Sequence, residues 1–437
     1  MPIAWNNPEV KLKIEQTIRP LSISDLAAQA EKCSEMLLTA RSVMLNPDSK
    51  KKAPVFSADV LAQLCGISKA TLDYRIGTLK RLSAERSESG DDAQSEPGDS
   101  TAAAATKDSP LPLGSIASPG APRRFALEEA RRWIKANRPQ PPRQPGEEAL
   151  VITVLNSKGG VAKTSTAFTL AQGLSLRGYD VLFFDADAQA SGTTLTGTVP
   201  ERDIDWTDTV GPFVFGEEPD LRYAVSTTYW DGLDIIPSSS LTYEAEMRIG
   251  AAAARQEARL WDWFTRGLAP LRQDYDVIII DTSPALSYLT INAAFAADGL
   301  LVPSPPKVLD FAAGAQFWTL FGGTVERMGE LVGGPLLDKR WQFVYVLPTL
   351  ADINAEHYRV VKDWMAETYG SKLFPGEIRA SKVAETLSTE FKTVYDVSGR
   401  YGGNATAYRN LRDGYDNLAE VIDSTCHAVR LARRKGI

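Results

Sequence analysis

The groups in this chain best placed to do chemistry are two lysines that flank a pair of glycines, in the run Lys158-Gly159-Gly160-Val161-Ala162-Lys163-Thr164-Ser165. An apolar segment, Val151-Ile152-Thr153-Val154-Leu155, leads into the run, and a helix is expected to open at Lys163. A strand, a glycine loop and a helix in that order make a phosphate cradle. Backbone N–H groups of the loop and of the helix N-terminus converge on an anion, and only small residues let the backbone come so close. Lys163 would reach the β and γ phosphates of a nucleotide, and the Thr164 hydroxyl would sit on Mg²⁺. The generic pattern G-x-x-x-x-G-K-[ST] is missed at both glycines, where Ser157 and Ala162 stand. A Gly-Gly turn with unrelated lysines nearby is the bland alternative.

Two carboxylate runs downstream argue against that alternative. Val181-Leu182-Phe183-Phe184 runs into Asp185-Ala186-Asp187-Ala188-Gln189, and Val277-Ile278-Ile279-Ile280 into Asp281-Thr282-Ser283-Pro284. Buried strands that end in aspartate put carboxylates at the carboxyl edge of a sheet, where doubly wound folds bind ligands. Asp281 is placed to hold Mg²⁺ through a water. Either run alone reads equally well as a solvated turn. In this order, behind Lys158 and Lys163, they form one site.

The run K-G-G-V-A-K-T resembles the deviant Walker A motif of the ParA/MinD family of P-loop ATPases. The likeness extends from about Glu148 through Ala285–Asp298, Leu300–Pro303, Asp310 and Val346–Thr349 to the C-terminus. The run at Asp185 is similar to that family's D-x-D-P-Q motif, with Ala188 in place of the usual proline. The resemblance implies ATP/ADP and Mg²⁺ as cofactors, with phosphates held by Lys158 through Ser165 and metal by Thr164 and Asp281. It implies that Asp187 orients or activates the attacking water, with Gln189 beside it. Lys158 would cross to the nucleotide of the other subunit in an ATP-sandwich homodimer, where a cation supplied in trans stabilises the transferring phosphoryl group. Lys158, Lys163, Asp187 and Gln189 are thus the expected catalytic set. Iron-protein relatives need cysteines at the dimer axis, and none lies between Val151 and Cys426.

Positioning such a site takes alternating strands and helices. Strands are predicted at Val151–Leu155, Val181–Phe184, Leu233–Ile236, Val277–Ile280, Leu300–Pro303 and Phe343–Leu347. Apolar nearly throughout, they suit a parallel sheet covered on both faces. The expected fold class is therefore α/β, a doubly wound, mostly parallel P-loop ATPase domain over 148–437. An all-α winged helix-turn-helix module and an N-terminal helix would precede it. A length of 437 residues allows two or three domains, and 43% hydrophobic with 24% charged residues is ordinary for a soluble protein. No apolar run of membrane-spanning length and no leader is found, so a cytoplasmic protein is expected. Cys33, Cys65 and Cys426 lie far apart and read as reduced thiols, and two histidines, His357 and His427, make a His-based triad or metal site improbable. A net charge of −7 means that any DNA contact must come from local basic patches.

Ahead of the ATPase domain, residues 1–48 hold a predicted amphipathic helix over Ser22–Ser42, with Leu26, Ala27, Ala30, Met36 and Leu37 at helical spacing. Packing in a dimer and packing on its own chain are both open. Within 49–145, Phe56–Ile76 reads as a helix-turn-helix. Ser57 and Ser68 cap its helices, Ala62 allows a close crossing, Gly66 turns the chain, and Ile67, Leu72 and Ile76 face inward. Ser68, Lys69, Thr71, Tyr74 and Arg75 then face outward, where phosphates and base edges would be met. Any small helical hairpin has similar spacing. Ser83–Pro122 is rich in Ser, Gly, Asp, Ala and Pro and is predicted to be a disordered insertion. Arg123-Arg124-Phe125 before the helix Leu127–Asn137 resembles the wing-and-helix end of MerR-like modules. Lys50-Lys51-Lys52 is either a phosphate contact or solvated surface, and Pro139, Pro141, Pro142 and Pro145 read as a stiff connector.

Larger, autoregulating members of the ParA family resemble this layout. The resemblance implies a plasmid or chromosome partition ATPase associated with the nucleoid. Its ATP-bound homodimer, or a filament of such dimers, would bind DNA without sequence preference. A ParB-type centromere-binding partner would stimulate slow hydrolysis, and the helix-turn-helix would repress the protein's own operon. Arg379, Lys382 and Lys392, with Arg430, Arg433, Arg434 and Lys435, are candidates for the sequence-neutral DNA face. Two alternatives stand beside this: a transcription regulator that only senses nucleotide, and a MinD-like membrane ATPase. The latter needs a C-terminal amphipathic anchor. Leu418–Lys435 carries Glu420 and Asp423 and reads better as a packed helix, so no membrane partner is expected.

Overall fold

The computed structural model describes residues 22–45, 51–88, 111–255, 261–331, 339–397 and 401–436. Residues Met1–Ser49 and Lys50–Ile437 are separate units. In the first, helix α1 spans Ile23–Leu45, three residues beyond the predicted end. Its start is capped reciprocally: the Asp25 N–H donates to Ser22 Oγ at 3.2 Å, and the Ser22 N–H donates to Asp25 Oδ2 at 2.8 Å. Ile23, Leu26 and Met36 are exposed on it.

The second unit is built on a seven-stranded sheet. Its strands are β3 (Leu150–Val154), β4 (Val181–Ala186), β5 (Ser226–Thr227), β6 (Leu233–Ile236), β7 (Val277–Thr282), β8 (Gly299–Ser304) and β9 (Phe343–Pro348). They lie in the order β5-β6-β4-β7-β3-β8-β9. All neighbours are parallel except β5, which pairs antiparallel with β6 at one edge. All six predicted strands are present, most of them longer by one or two residues. β5 was not predicted, because two residues carry no periodic pattern. Alternation across the sheet is strict: Leu150, Ile152 and Val154 enter one core, Val151 and Leu155 the other. Among the described residues no helix is long and apolar enough to cross a membrane.

The DNA-module candidate is not a separate domain. Strand β1 (Val55–Ser57) precedes helix α2 (Ala58–Leu64) and helix α3 (Lys69–Glu88). Strand β2 (Arg124–Ala126) then pairs antiparallel with β1 and leads into helix α4 (Leu127–Asn137). Phe56, Leu61, Leu72, Phe125 and Trp133 from these elements share one hydrophobic core with Leu150, Ile152 and Val181 of the sheet. Polar groups reinforce the junction. Arg131 of α4, fully covered, ion-pairs with Asp180 (2.8 Å) and Asp231 (2.6 Å) and donates to the carbonyls of Ser175 and Tyr179.

Three expectations change here. The disordered insertion expected over 83–122 does not hold at its two ends, since α3 runs to Glu88 and Leu111–Pro122 is placed; residues 89–110 lie outside the described residues. Leu111 and Leu113 pack on the core, the Pro112 carbonyl accepts from Trp133 Nε1 (2.8 Å), and Arg123 binds the Leu113 carbonyl. Average composition hid these two leucines. The module is also not all-α, because Arg124-Phe125 pairs with the segment ahead of α2. Finally, Lys51 is no phosphate contact. Its ammonium is buried against Asp396 (2.9 Å), the Leu195 carbonyl (2.6 Å) and the Phe391 carbonyl (3.0 Å), over the face of Tyr229. Lys50 lies outside the described residues, and Lys52 is exposed.

Candidate nucleotide site

Register assembles the site. Val154, Asp281 and Asp185 are Cα partners across β3, β7 and β4, so two carboxylates and the start of the glycine loop meet at the carboxyl edge. The chain reverses its direction of winding at β3, between β7 and β8, which is where an open α/β sheet leaves a crevice. From β3 the loop runs Ser157–Ala162 into helix α5 (Lys163–Ser175). Gly160 sits at φ +73°, and so does Ala162 at φ +67°, a left-handed conformation unusual for a residue with a Cβ. Ala162 is where the generic motif has its second glycine, so the loop keeps its shape at some cost in strain. Two groups hold it: Thr349 Oγ1, beyond β9, donates to the Val161 carbonyl (2.9 Å), and Asn156 Oδ1 accepts from the Lys158 N–H (3.0 Å).

Lys163 is 6% exposed, and its ammonium donates to the Lys158 carbonyl at 3.0 Å. Burial lowers its pKa, with the nearby charges of Asp281 and Asp187 opposing the fall. Asp281 is fully buried, and neither carboxylate oxygen has a hydrogen-bond partner among the described residues. Burial raises its pKa well above the carboxylate range, and Asp185 and Asp187 add to the rise. The Thr164 hydroxyl and the charge of Lys163 oppose the rise. A bare carboxyl in this setting is costly unless it meets a cation. Oxygen donors from Thr164 and Asp281 suit Mg²⁺, which is bound by few protein groups and keeps waters.

Asp187 is also buried, and its Oδ1 accepts from the Gln189 N–H at 3.0 Å; the Gln189 side chain is exposed. Asp185 is pushed up to about 7 by burial. Gly159 and Gly160 are exposed, Thr164 and Ser165 half-buried, and Val161 is buried. Lys158 forms a salt bridge of 2.9 Å with Asp310, in the first turn of helix α8 (Val308–Leu331). Neither Asp310 nor Thr349 carries a mark of this task in the sequence beyond its place in the family likeness.

A cavity of about 150 Å³ adjoins α5, lined among others by Ser165, Thr169, Leu195, Ile378, Ala380 and Tyr415. Arg379 and Lys392, expected on a DNA face, also border this cavity. They pair with Glu377 and Glu390 respectively. Lys382 is exposed on its own short helix. Three more of the basic candidates are engaged elsewhere. Arg430 is buried and donates to the carbonyls of Pro142 and Asp276, Arg433 pairs with Asp298, and Arg434 pairs with Glu147. They lie on helix α9 (Ala405–Arg434), whose apolar side enters the core through Leu418, Ile422, Cys426 and Val429. That side is not free to enter a membrane.

In the N-terminal module, Ser57 Oγ accepts from the Val60 N–H (3.3 Å) and Ser68 Oγ from the Thr71 N–H (3.1 Å). Gly66, at φ +65°, turns the chain between α2 and α3. Leu72 and Ile76 are buried and Ile67 half-buried, whereas Ser68, Lys69, Thr71, Tyr74 and Arg75 are exposed. Lys69 pairs with Asp59 (3.0 Å), and Arg75 donates to the Asn137 side chain.

The profile of a family described as an AAA domain matches residues 149–328. Protein SopA of Escherichia coli strain K12 is 31% identical over 286 residues, which span 62% of this chain and 69% of that protein. The chromosome partitioning protein ParA of Caulobacter vibrioides is 35% identical over 243 residues, 54% of this chain and 84% of that relative. Among solved structures, a partition protein superposes with a TM-score of 0.56 at 17% identity, over 84% of this chain and 95% of that one, a likeness of fold. With a deviant phosphate loop, a strand-end carboxylate pair and relatives matched over most of their length, the chain belongs to the ParA-type partition ATPases.

Proposed function

We propose that this chain is a DNA-partition ATPase that works as an ATP-bound homodimer in the cytoplasm, on the nucleoid. The observation that carries the reading is the Asp281 carboxylate, buried without a partner beside the under-coordinated ammonium of Lys163. A triphosphate with Mg²⁺ satisfies both groups at once. The backbone N–H groups of Gly159 through Ser165 would hold the phosphates, Lys163 would leave the Lys158 carbonyl for the β and γ oxygens, and Thr164 and Asp281 would hold the metal, which would supply charge neutralisation there. Asp187, with Gln189, orients the attacking water, and the cavity beside α5 takes the nucleoside. Arg379 and Lys392 border that cavity and stand with Lys382 as candidates for the DNA surface.

Lys158 exchanges Asp310 for the nucleotide of a second subunit, so ATP joins the dimer and slow hydrolysis releases it. A ParB-type protein is the expected stimulating partner. The exposed side of α3, with Ser68, Lys69, Thr71, Tyr74 and Arg75, reads an operator, and Lys382 belongs to a sequence-neutral DNA surface. No membrane is involved. The test is binding to DNA of random sequence with ATP, by wild type, Lys158→Gln and Lys163→Gln. Wild type is expected to bind and both variants to fail. Undiminished binding by both would show that nucleotide does not control the DNA interaction.

A further inference from the structure

The loop that carries Asp187 is held in place by hydroxyl groups that belong to no nucleotide motif. The Asp187 carbonyl accepts from Ser238 Oγ (2.8 Å) as well as from the Ala190 N–H (2.8 Å). Ser238 stands just beyond β6, and its own N–H donates to Thr193 Oγ1 at 2.9 Å. Thr193 lies in the short helix α6 (Ser191–Leu195), and both its N–H (2.7 Å) and its hydroxyl (2.8 Å) donate to Asp185 Oδ2. Asp185 Oδ1 accepts from the Asp187 N–H at 3.2 Å, which closes a ring through Asp187, Ser238, Thr193 and Asp185. Each member is at most 8% exposed.

Two further features show how closely this ring is drawn. Ala190 sits at φ +53°, in left-handed backbone that a Cβ disfavours, so the turn persists only because its surroundings impose it. A Cβ on Gly192 would lie 2.6 Å from the Phe183 ring and 3.0 Å from Asp185 Oδ2, so α6 approaches β4 as closely as glycine permits. Charge-assisted bonds to a buried carboxylate are strong, and a buried network with one member removed loses more than one bond.

We propose that Ser238 and Thr193 are positioning residues for ATP hydrolysis, which fix the Asp187 loop through this ring before nucleotide arrives. The inference rests on the reading of Asp187 as the group that orients water. Asp185 anchors the ring from the strand, Thr193 draws α6 onto it, and Ser238 ties the Asp187 backbone to the neighbouring strand β6. Small displacements of such a carboxylate lower turnover without weakening phosphate binding, because the cradle at Gly159–Ser165 is built separately.

The test compares Ser238→Ala, Thr193→Val, Thr193→Ser and Asp187→Asn in the full chain. Steady-state hydrolysis is measured together with hydrogen exchange of the amides over 187–195 in nucleotide-free protein. Ser238→Ala and Thr193→Val should lower kcat about 10–100-fold with KM within about twofold of wild type. Their amides over 187–195 should exchange faster, while Thr193→Ser, which keeps the hydroxyl, stays close to wild type in both readouts. Normal turnover by Ser238→Ala and Thr193→Val beside a dead Asp187→Asn would overturn the inference and leave the Asp187 reading standing. Normal turnover by Asp187→Asn would overturn that reading itself. Equal loss in Thr193→Ser and Thr193→Val would assign the effect to packing and also sink the proposal. Should Thr193→Val fail to fold, Ser238→Ala, which removes a single oxygen, decides the matter.

Discussion

At the nucleotide site the ammonium of Lys163, three protons and a full charge, has one acceptor among the described residues, the Lys158 carbonyl. At the junction with the N-terminal module the ammonium of Lys51 has three acceptors, in Asp396, Leu195 and Phe391, and an aromatic face beneath it. Both lysines are buried, and burial lowers the pKa of both. The difference lies in saturation. A buried cation with free donors beside an unpartnered carboxylate is a site awaiting a ligand, whereas one with every donor used is a fastening. Lys51 fastens parts that themselves border the nucleotide side: Asp396 also accepts from Tyr229 (2.5 Å), and Gln172 of α5 donates to Tyr229 at 2.8 Å.

The largest effect should come from the unsaturated lysine. Lys163→Gln is expected to lower kcat/KM for ATP by about 10³-fold, the scale of a lost preorganised charge. Its melting temperature should hold or rise, since a costly buried charge is gone. A clear fall in melting temperature would mean that Lys163 is a structural cation like Lys51. Lys158→Gln should follow, with kcat down about 10³-fold and ATP affinity little changed, because its charge acts only when two subunits meet. Equilibrium nucleotide binding beside turnover separates the two lysines.

Lys51→Met should do the reverse. It leaves Asp396 buried without its cation, a loss of about 3 kcal/mol for a broken buried pair. Chemical denaturation reads the loss, and affinity for ATP should change far less than in Lys163→Gln. A Lys51→Met protein as stable as wild type would erase the contrast between the two sites.

The same contrast explains what the sequence could disclose. Lys163 announces itself because its neighbours Gly159, Gly160 and Thr164 must be near it in the chain to form the cradle, and local spacing is what a sequence displays. Asp185 and Asp281 are legible because each closes an apolar run, and register then pairs them, with Asp187 two residues further on. Lys51 draws its partners from residues 195, 391 and 396, so nothing beside it in the chain marks it as buried, and in Lys50-Lys51-Lys52 it looks like solvated surface. Arg430 misled for the same reason: in a basic C-terminal helix its burial depends on the carbonyls of Pro142 and Asp276. Thr193 and Ser238 are ordinary hydroxyl residues until the fold places them around Asp185.

A smaller effect tests the loop itself. Ala162→Gly relieves the left-handed backbone at φ +67° and should stabilise the apoprotein by about 1 kcal/mol, measured by denaturation. A destabilised variant would mean that the Ala162 side chain contributes packing that outweighs the strain.

The finest test uses the cysteines as reporters on the two regions. Cys65 ends α2 in the N-terminal module and Cys426 lies in α9, and both are buried; Cys33 on α1 is exposed. Burial pushes the Cys65 thiol up to about 11 and Cys426 up to about 12, against 9.0 for a free thiol. An acid whose folded pKa is raised holds its proton in the folded state after the unfolded chain has lost it. These thiols therefore cost no stability below about pH 9, and they reduce it as pH climbs from there toward 11 to 12. At pH 8 both remain neutral and covered, and the thiolate is the reactive form, so a maleimide should label Cys33 rapidly and the other two only through opening. In Lys51→Met the labelling of Cys65 should accelerate while that of Cys426 stays slow, if Lys51 fastens the module alone. Equal acceleration at both would mean that the module and the sheet open as one cooperative body, and that the core shared by Phe125, Trp133 and Ile152 governs the junction more than the lysine does.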